Sequence, residues 1–143
     1  MTRFAGGPGE SPGFLLWHLT LRWQRAITAA LAPLGLTHVQ FVLLACTYWL
    51  GEHGETPNQL AVAAQAGTDV KMTSQVLARL EQQGLIERRT HATDTRAKVV
   101  SVTPRGRAVA IKAIDRVEDA DAAFFAGYPS SLVTALRRTA AWA

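Results

Sequence analysis

The stretch DVKMTSQVLARLEQQGLIERRTHATDTRAKVVSVTPRG, residues 69–106, decides the fold. Its first part has helical periodicity. At 100° per residue Val70, Thr73, Val76, Leu77 and Leu80 gather on one side. Lys71, Gln75, Ala78 and Gln82 face the other way, with Ser74 and Arg79 at the edges. Gly84 ends the helix, and "LIERR" and "AKVVSVT" read as two strands around a polar tip. "TPRG" then opens a further helix, with Thr103 as cap and Pro104 at the first helical position.

Upstream, "TPNQLAVAAQAG" at 56–67 carries helix-start signals. Thr56 is expected to cap, Pro57 to take the first helical position and Gln59 to complete a capping box. Gly67 closes that short helix, and the next begins near Thr68 or Asp69, so two helices meet at a tight turn. Before them, "THVQ" at 37–40 fits a capping box and starts a helix that is apolar nearly all round as far as Gly51. The segment 14–34, "FLLWHLTLRWQRAITAALAPL", is an earlier helix whose end Pro33 and Gly35 mark. Downstream, the helix entered at Pro104 continues through "RAVAIKAIDRVEDADAAFFA", and a last one spans about Ser130 to Trp142. "EDAD" near Glu118 reads as a solvated helix face.

The chain of 143 residues is expected to form one mainly α (α+β) domain. Residues 1–13 are expected to be a disordered lead-in without the apolar core of a signal peptide. Residues 36–103 are assigned to a winged helix-turn-helix, and 14–34 with 104–143 to flanking helices. The longest apolar run, "FVLLACTYWL", is too short for a bilayer, so a cytoplasmic protein with no membrane partner is expected.

Charge points to the partner. The net charge is +4, and between Ala66 and Lys112 nine basic residues stand against four acidic ones. An excess confined to one third of the chain suits a polyanion. The outward face of the 70–82 helix is small or polar, as base-edge reading requires: Gln and Lys pair with purine edges, and Ser and Ala permit close approach. An enzyme finds little support, since there is no nucleophile elbow, no phosphate-binding glycine loop and no paired carboxylates at catalytic spacing. No cofactor is expected. The four histidines lack ligand spacing and His53 with Glu55 reads as a solvated turn, so no metal site is expected either. The single cysteine, Cys46, lies in an apolar helix and reads as an inert core residue.

The chain resembles the MarR (multiple antibiotic resistance) regulators from about Leu15 to Trp142. The likeness is most specific in "MTSQVLARLEQQGLIERRTHATDTRAKVVSVTPRGRAVA", where the recognition helix, the "LE…GL…R" exit, the "D-x-R" wing tip and the "T-x-x-G" helix entry follow in order. It implies a recognition helix using Lys71, Met72, Thr73, Ser74, Gln75 and Arg79. It also implies a DNA-binding wing using Arg88, Arg89, Asp94, Arg96 and Lys98, in which Arg96 enters the minor groove and Asp94 pairs with Arg88 or Arg89. The terminal helices, about 14–31 and 130–142, would form the dimerisation lobe of a homodimer on a pseudo-palindromic operator in double-stranded DNA, with two recognition helices ~34 Å apart. A small aromatic or lipophilic effector is implied as well, with Trp17, His18, Trp23, Tyr48 and Trp49 as candidate pocket walls and core packing as the alternative for them. The expected function is a dimeric, sequence-specific transcriptional regulator, a repressor by family analogy. The competing reading is a winged-helix module that binds protein and not specific DNA.

Overall fold

The computed structural model describes residues 2–90, 93 and 98–140. Asp94 and Arg96, which the sequence reading places at the wing tip, lie outside the described residues, as does Trp142. The elements run α1 (Pro12–Leu31), α2 (His38–Glu52), α3 (Gln59–Ala66), α4 (Val70–Gln82), β1 (Ile86–Thr90), β2 (Lys98–Val102), α5 (Pro104–Phe125) and α6 (Ser130–Thr139). They form two compact units, Leu31–Arg116 and the residues up to Ala30 with those from Val117 onward, so the boundary falls inside α5.

The Leu31–Arg116 unit is the expected winged helix. α2 packs on α3, α4 and β2. It buries Leu43, Leu44, Thr47 and Leu50, and full burial of each leucine contributes roughly 1.5–3 kcal/mol. Val62, Ala63, Leu77, Leu80, Ile86 and Val100 are buried in the same unit. The buried Thr47 hydroxyl donates to the Leu43 carbonyl at 2.8 Å. The predicted capping box at the head of α2 is present: Thr37 Oγ1 accepts from Gln40 N (3.2 Å), and Gln40 Oε1 accepts from Thr37 N (3.1 Å). Strands β1 and β2 pair antiparallel, with Ile86 opposite Val102 and Thr90 opposite Lys98.

The start of α3 departs from expectation. Asn58 is the cap, its Oδ1 accepting from Ala61 N at 2.8 Å, and α3 begins at Gln59. The carbonyl of buried Pro57 accepts from Val100 N at 2.8 Å, while extended Asn58 bridges to Val99. The residues before α3 thus add a short edge to the wing. A proline suits that edge because it has no N–H left to satisfy.

In the other unit, α1 starts earlier than the sequence suggests. The residues before 14 include a 3-10 turn, Pro8–Glu10, and Ser11 Oγ accepts from Phe14 N at 3.3 Å at the head of α1. Ser-Pro at 11–12 is a cap followed by proline at the first position, the same signal as Thr103-Pro104. The Trp23 indole N–H donates to Asp121 Oδ1 at 2.8 Å, tying α1 to the second half of α5. Asp121 is therefore not part of a purely solvated "EDAD" face, although Glu118 and Asp119 are exposed. This unit leaves much apolar surface open: Phe14, Leu15, Leu16, Trp17, Val133 and Leu136 are all exposed, and no residue of α6 is buried.

Candidate nucleic-acid interface

The face of α4 follows from how the helix is anchored. Asp69 caps it, its Oδ1 accepting from Met72 N at 2.8 Å. Thr73, Leu77 and Leu80 are buried and fix the rotation of the helix. Lys71, Gln75, Arg79 and Gln82 are then exposed, and Met72, Ser74 and Ala78 are half-buried between them. Two assignments change. Thr73 was placed among the DNA-contacting residues, but it is fully buried, donating to the Asp69 carbonyl (2.7 Å) and sharing a hydrogen bond with Thr68 Oγ1 (2.6 Å). Its hydroxyl serves the turn between the two helices. Val70, placed on the inner side, is 50% exposed because it occupies the first helical position, where the apolar stripe has barely begun.

The two wing arginines differ sharply. Arg89 is 76% exposed and pairs with Glu87 at 2.9 Å on the same strand. Exposed pairs of this kind contribute ~0–1 kcal/mol, so the guanidinium is easily given up to a phosphate. The Arg88 side chain is only 13% exposed. Its Nε and Nη2 donate to Glu81 Oε1 (3.4 and 3.2 Å), and its Nη1 donates to Gln59 Oε1 at 2.9 Å. Nη1 also lies 3.5 Å from the Ser74 carbonyl, and the Arg88 backbone N–H donates to Glu81 Oε2 at 3.0 Å. Asp94, the carboxylate the sequence reading offered to Arg88 or Arg89, lies outside the described residues, and Glu81 was not foreseen. Gln59 was expected to complete a capping box, and it binds Arg88 instead. The signal for Glu81 was in the sequence: it stands seven residues before Arg88, across the Gly84 turn that folds the strand back on the helix. Lys98 is exposed at the start of β2, beside Thr90.

The candidate pocket residues are scattered. Trp23 lines an apolar cavity of about 240 Å³ with Leu16, Leu19, Thr20, Phe125 and Leu136. His18 lines a different groove, with Phe14, Arg22 and Arg25, and packs edge-on against Phe14 at 4.5 Å. Trp17 is 60% exposed. In the winged-helix unit, Tyr48 lies under Arg107, which Glu52 binds at 3.3 Å, and Trp49 stacks on His53 at 3.9 Å. His53 Nδ1 also bonds the Trp49 carbonyl at 2.8 Å. Among the described residues no three His, Cys, Asp or Glu side chains gather as a metal site would require. Cys46 is half-buried, and burial pushes its thiol pKa up.

Known proteins share this arrangement. Residues 34–121 match the ArnR1-like winged-helix domain. A helix-turn-helix transcriptional regulator of Bacillus subtilis, YdcH, is 45% identical over 84% of this chain and 82% of its own. A solved MarR-family regulator from Rhodococcus sp. RHA1 is 30% identical with a TM-score of 0.76, covering 96% of this chain and 93% of that one. The chain belongs to the MarR family of winged-helix transcriptional regulators. Two further relatives bear on what such proteins do. The Mycobacterium tuberculosis repressor Rv2887 is 31% identical over 77% of this chain and 76% of its own. CouR of Rhodococcus jostii RHA1, solved with p-coumaroyl-CoA bound, is 30% identical with a TM-score of 0.77 over 93% and 91% of the two chains. Among the described residues of this MarR-family chain, no single helix is long and apolar enough to cross a membrane.

Proposed function

We propose that the protein is a cytoplasmic homodimeric repressor that reads a pseudo-palindromic operator with α4 of each protomer and releases it on binding a small aromatic or lipophilic effector. The observation that carries this reading is the exposed row Lys71, Gln75 and Arg79 on α4, in the same unit as exposed Arg89 and Lys98 on the wing. Hydrogen-bonding groups on an exposed helix face suit base edges, and exposed cations on the hairpin suit phosphates. Arg96 is assigned to the minor groove and Asp94 to ordering the tip.

The dimer is supported by the open apolar residues of α1 and α6, which leave a surface that a second copy would cover. An aromatic effector is supported by the ligand of CouR, a phenolic thioester. The apolar cavity beside Trp23 is of a size for a ring system. The protein acts by occupancy and not by catalysis.

The test is a titration of the protein against fluorescent duplexes tiled across the DNA flanking its own gene, with random duplex as control, at two salt concentrations. Tight, salt-sensitive binding to one palindromic tile is expected. Weak binding that is equal on every tile, and on a genomic DNA pool, would favour a protein-binding winged helix instead.

A further inference from the structure

We propose that Arg88 is not a DNA contact but a positioning residue: it sets the placement of α4 against the wing, with Glu81 and Gln59 as its anchors. The inference rests on the reading of α4 as the DNA-reading helix. Three elements meet in one guanidinium. Glu81 lies in the last turn of α4, Ser74 two turns earlier on the same helix, and Gln59 at the first position of α3. Arg88 itself belongs to β1. Both oxygens of Glu81 are occupied by this one residue, Oε1 by the side chain and Oε2 by the backbone N–H.

The chemistry requires arginine. A planar fork can face a carboxylate with two nitrogens and still turn a third donor edge to Gln59, whereas a lysine ammonium offers one point of charge. At 13% exposure the guanidinium is mostly withdrawn from solvent, so it is compensated by partners within the protein and has little left to offer a phosphate. It grips α4 from behind: the carbonyl nearest Nη1 belongs to Ser74, the residue before Gln75. Loss of the grip therefore changes where the base-reading side chains stand, while the cations that meet the phosphates stay on the outer surface. Specific and non-specific binding separate on that distinction. Base reading depends on placement, and the salt-dependent term depends on how many phosphates are neutralised.

The experiment compares Arg88→Lys, Arg88→Met and Glu81→Gln with Arg89→Ala in the full-length protein. It measures operator and random-duplex affinity over a salt series, and hydrogen exchange of the α4 amides without DNA. For the Arg88 and Glu81 variants the operator-to-random ratio is expected to fall by about tenfold or more, with the salt slope unchanged. Their α4 amides are expected to exchange faster in protein whose helical content is intact. Arg89→Ala is expected to lower the slope by about one and leave the ratio alone. A slope lowered by about one in Arg88→Lys or Arg88→Met, with the ratio preserved, makes Arg88 a phosphate contact and overturns the proposal. Unchanged ratio and unchanged exchange make it a bystander and also overturn it. If Arg88→Met fails to fold, Gln59→Leu, which removes only the α3 anchor, is measured instead and is expected to shift the same two readouts by less. If the native protein prefers no operator, the DNA reading of α4 fails, and the exchange data alone decide whether Arg88 holds the helix.

Discussion

Gly106 stands against the carbonyl oxygen of Leu85, which a β-carbon at that position would overlap. The same oxygen accepts from Thr103 N at 3.1 Å. Thr103 Oγ1 in turn accepts from Gly106 N at 2.9 Å and donates to the Gly84 carbonyl at 2.7 Å. The Thr-x-x-Gly motif thus joins the head of α5 to the turn between α4 and β1: the threonine supplies the bonds, and the glycine lets the backbones approach.

A substitution at Gly106 is therefore expected to be severe. Gly106→Ala must push backbone from backbone and is expected to cost about 3 kcal/mol, a large share of a small domain's stability. Gly51→Ala is the matched control, since Gly51 lies in α2 with nothing within 4 Å of a new β-carbon. It is expected to stabilise by up to ~1 kcal/mol through helix propensity. Urea denaturation of the two variants beside the native protein checks both, and similar midpoints for the pair would remove the close-approach argument.

DNA binding separates two kinds of residue. Gln75→Ala is expected to cost ~1–3 kcal/mol on the operator and almost nothing on random duplex. Arg96→Ala is expected to weaken both by ~1–2 kcal/mol. Fluorescence anisotropy at matched salt reads the difference. An unchanged ratio in Gln75→Ala would take base reading away from that side chain.

His38 makes stability depend on pH. It is half-buried at the head of α2, and desolvation lowers its pKa in the folded protein below the ordinary histidine value. The unfolded chain therefore takes up the proton first as pH falls. This contribution to stability is complete above about pH 6.5 and is lost as pH drops through the lowered folded value. The urea midpoint is expected to fall between about pH 7.5 and about pH 5, and by less in His38→Gln. Equal shifts in the two proteins would assign the pH dependence to other groups.

Cys46 is expected to be slow. Burial raises its thiol pKa, so little thiolate exists near neutral pH, and access is partly closed. An aromatic disulfide reagent should label it at least about tenfold faster in denaturant than in the folded protein. Equal rates would show an accessible thiol and overturn its assignment as an inert residue.

What the sequence disclosed, and what it withheld, divides by range. The caps at Thr37 and Thr103, the Gly84 turn and the amphipathic stripe of α4 are local patterns a few residues long, and each appears where it was read. The start of α3 was misread because Pro57 answers to Val100, far along the chain, and Thr56–Pro57 mimics a helix entry in isolation. Helical angle placed Thr73 on the inner side of α4, where it is buried, and it was the resemblance that set it among the DNA contacts; angle alone could not tell that Val70 is exposed. The partner of Arg88 depended on how the strand folds back over the helix, a matter of tertiary geometry. The exposure of Lys71, Gln75 and Arg79 was legible because a solvated helix face needs no distant partner to be identified.

The bond from Val100 N to the Pro57 carbonyl has a bearing on how the chain assembles. Strands β1 and β2 are near neighbours in sequence and can zip as a hairpin at small entropic cost. The Pro57–Asn58 edge must close a loop containing all of α3, α4 and β1 before it docks. The expected order is hairpin first and this edge late, so substitutions at Asn58 should mainly speed unfolding while those in the hairpin also slow refolding. A winged helix built this way completes its sheet edge only when this bridge forms, so partly folded chains would not yet present a finished wing.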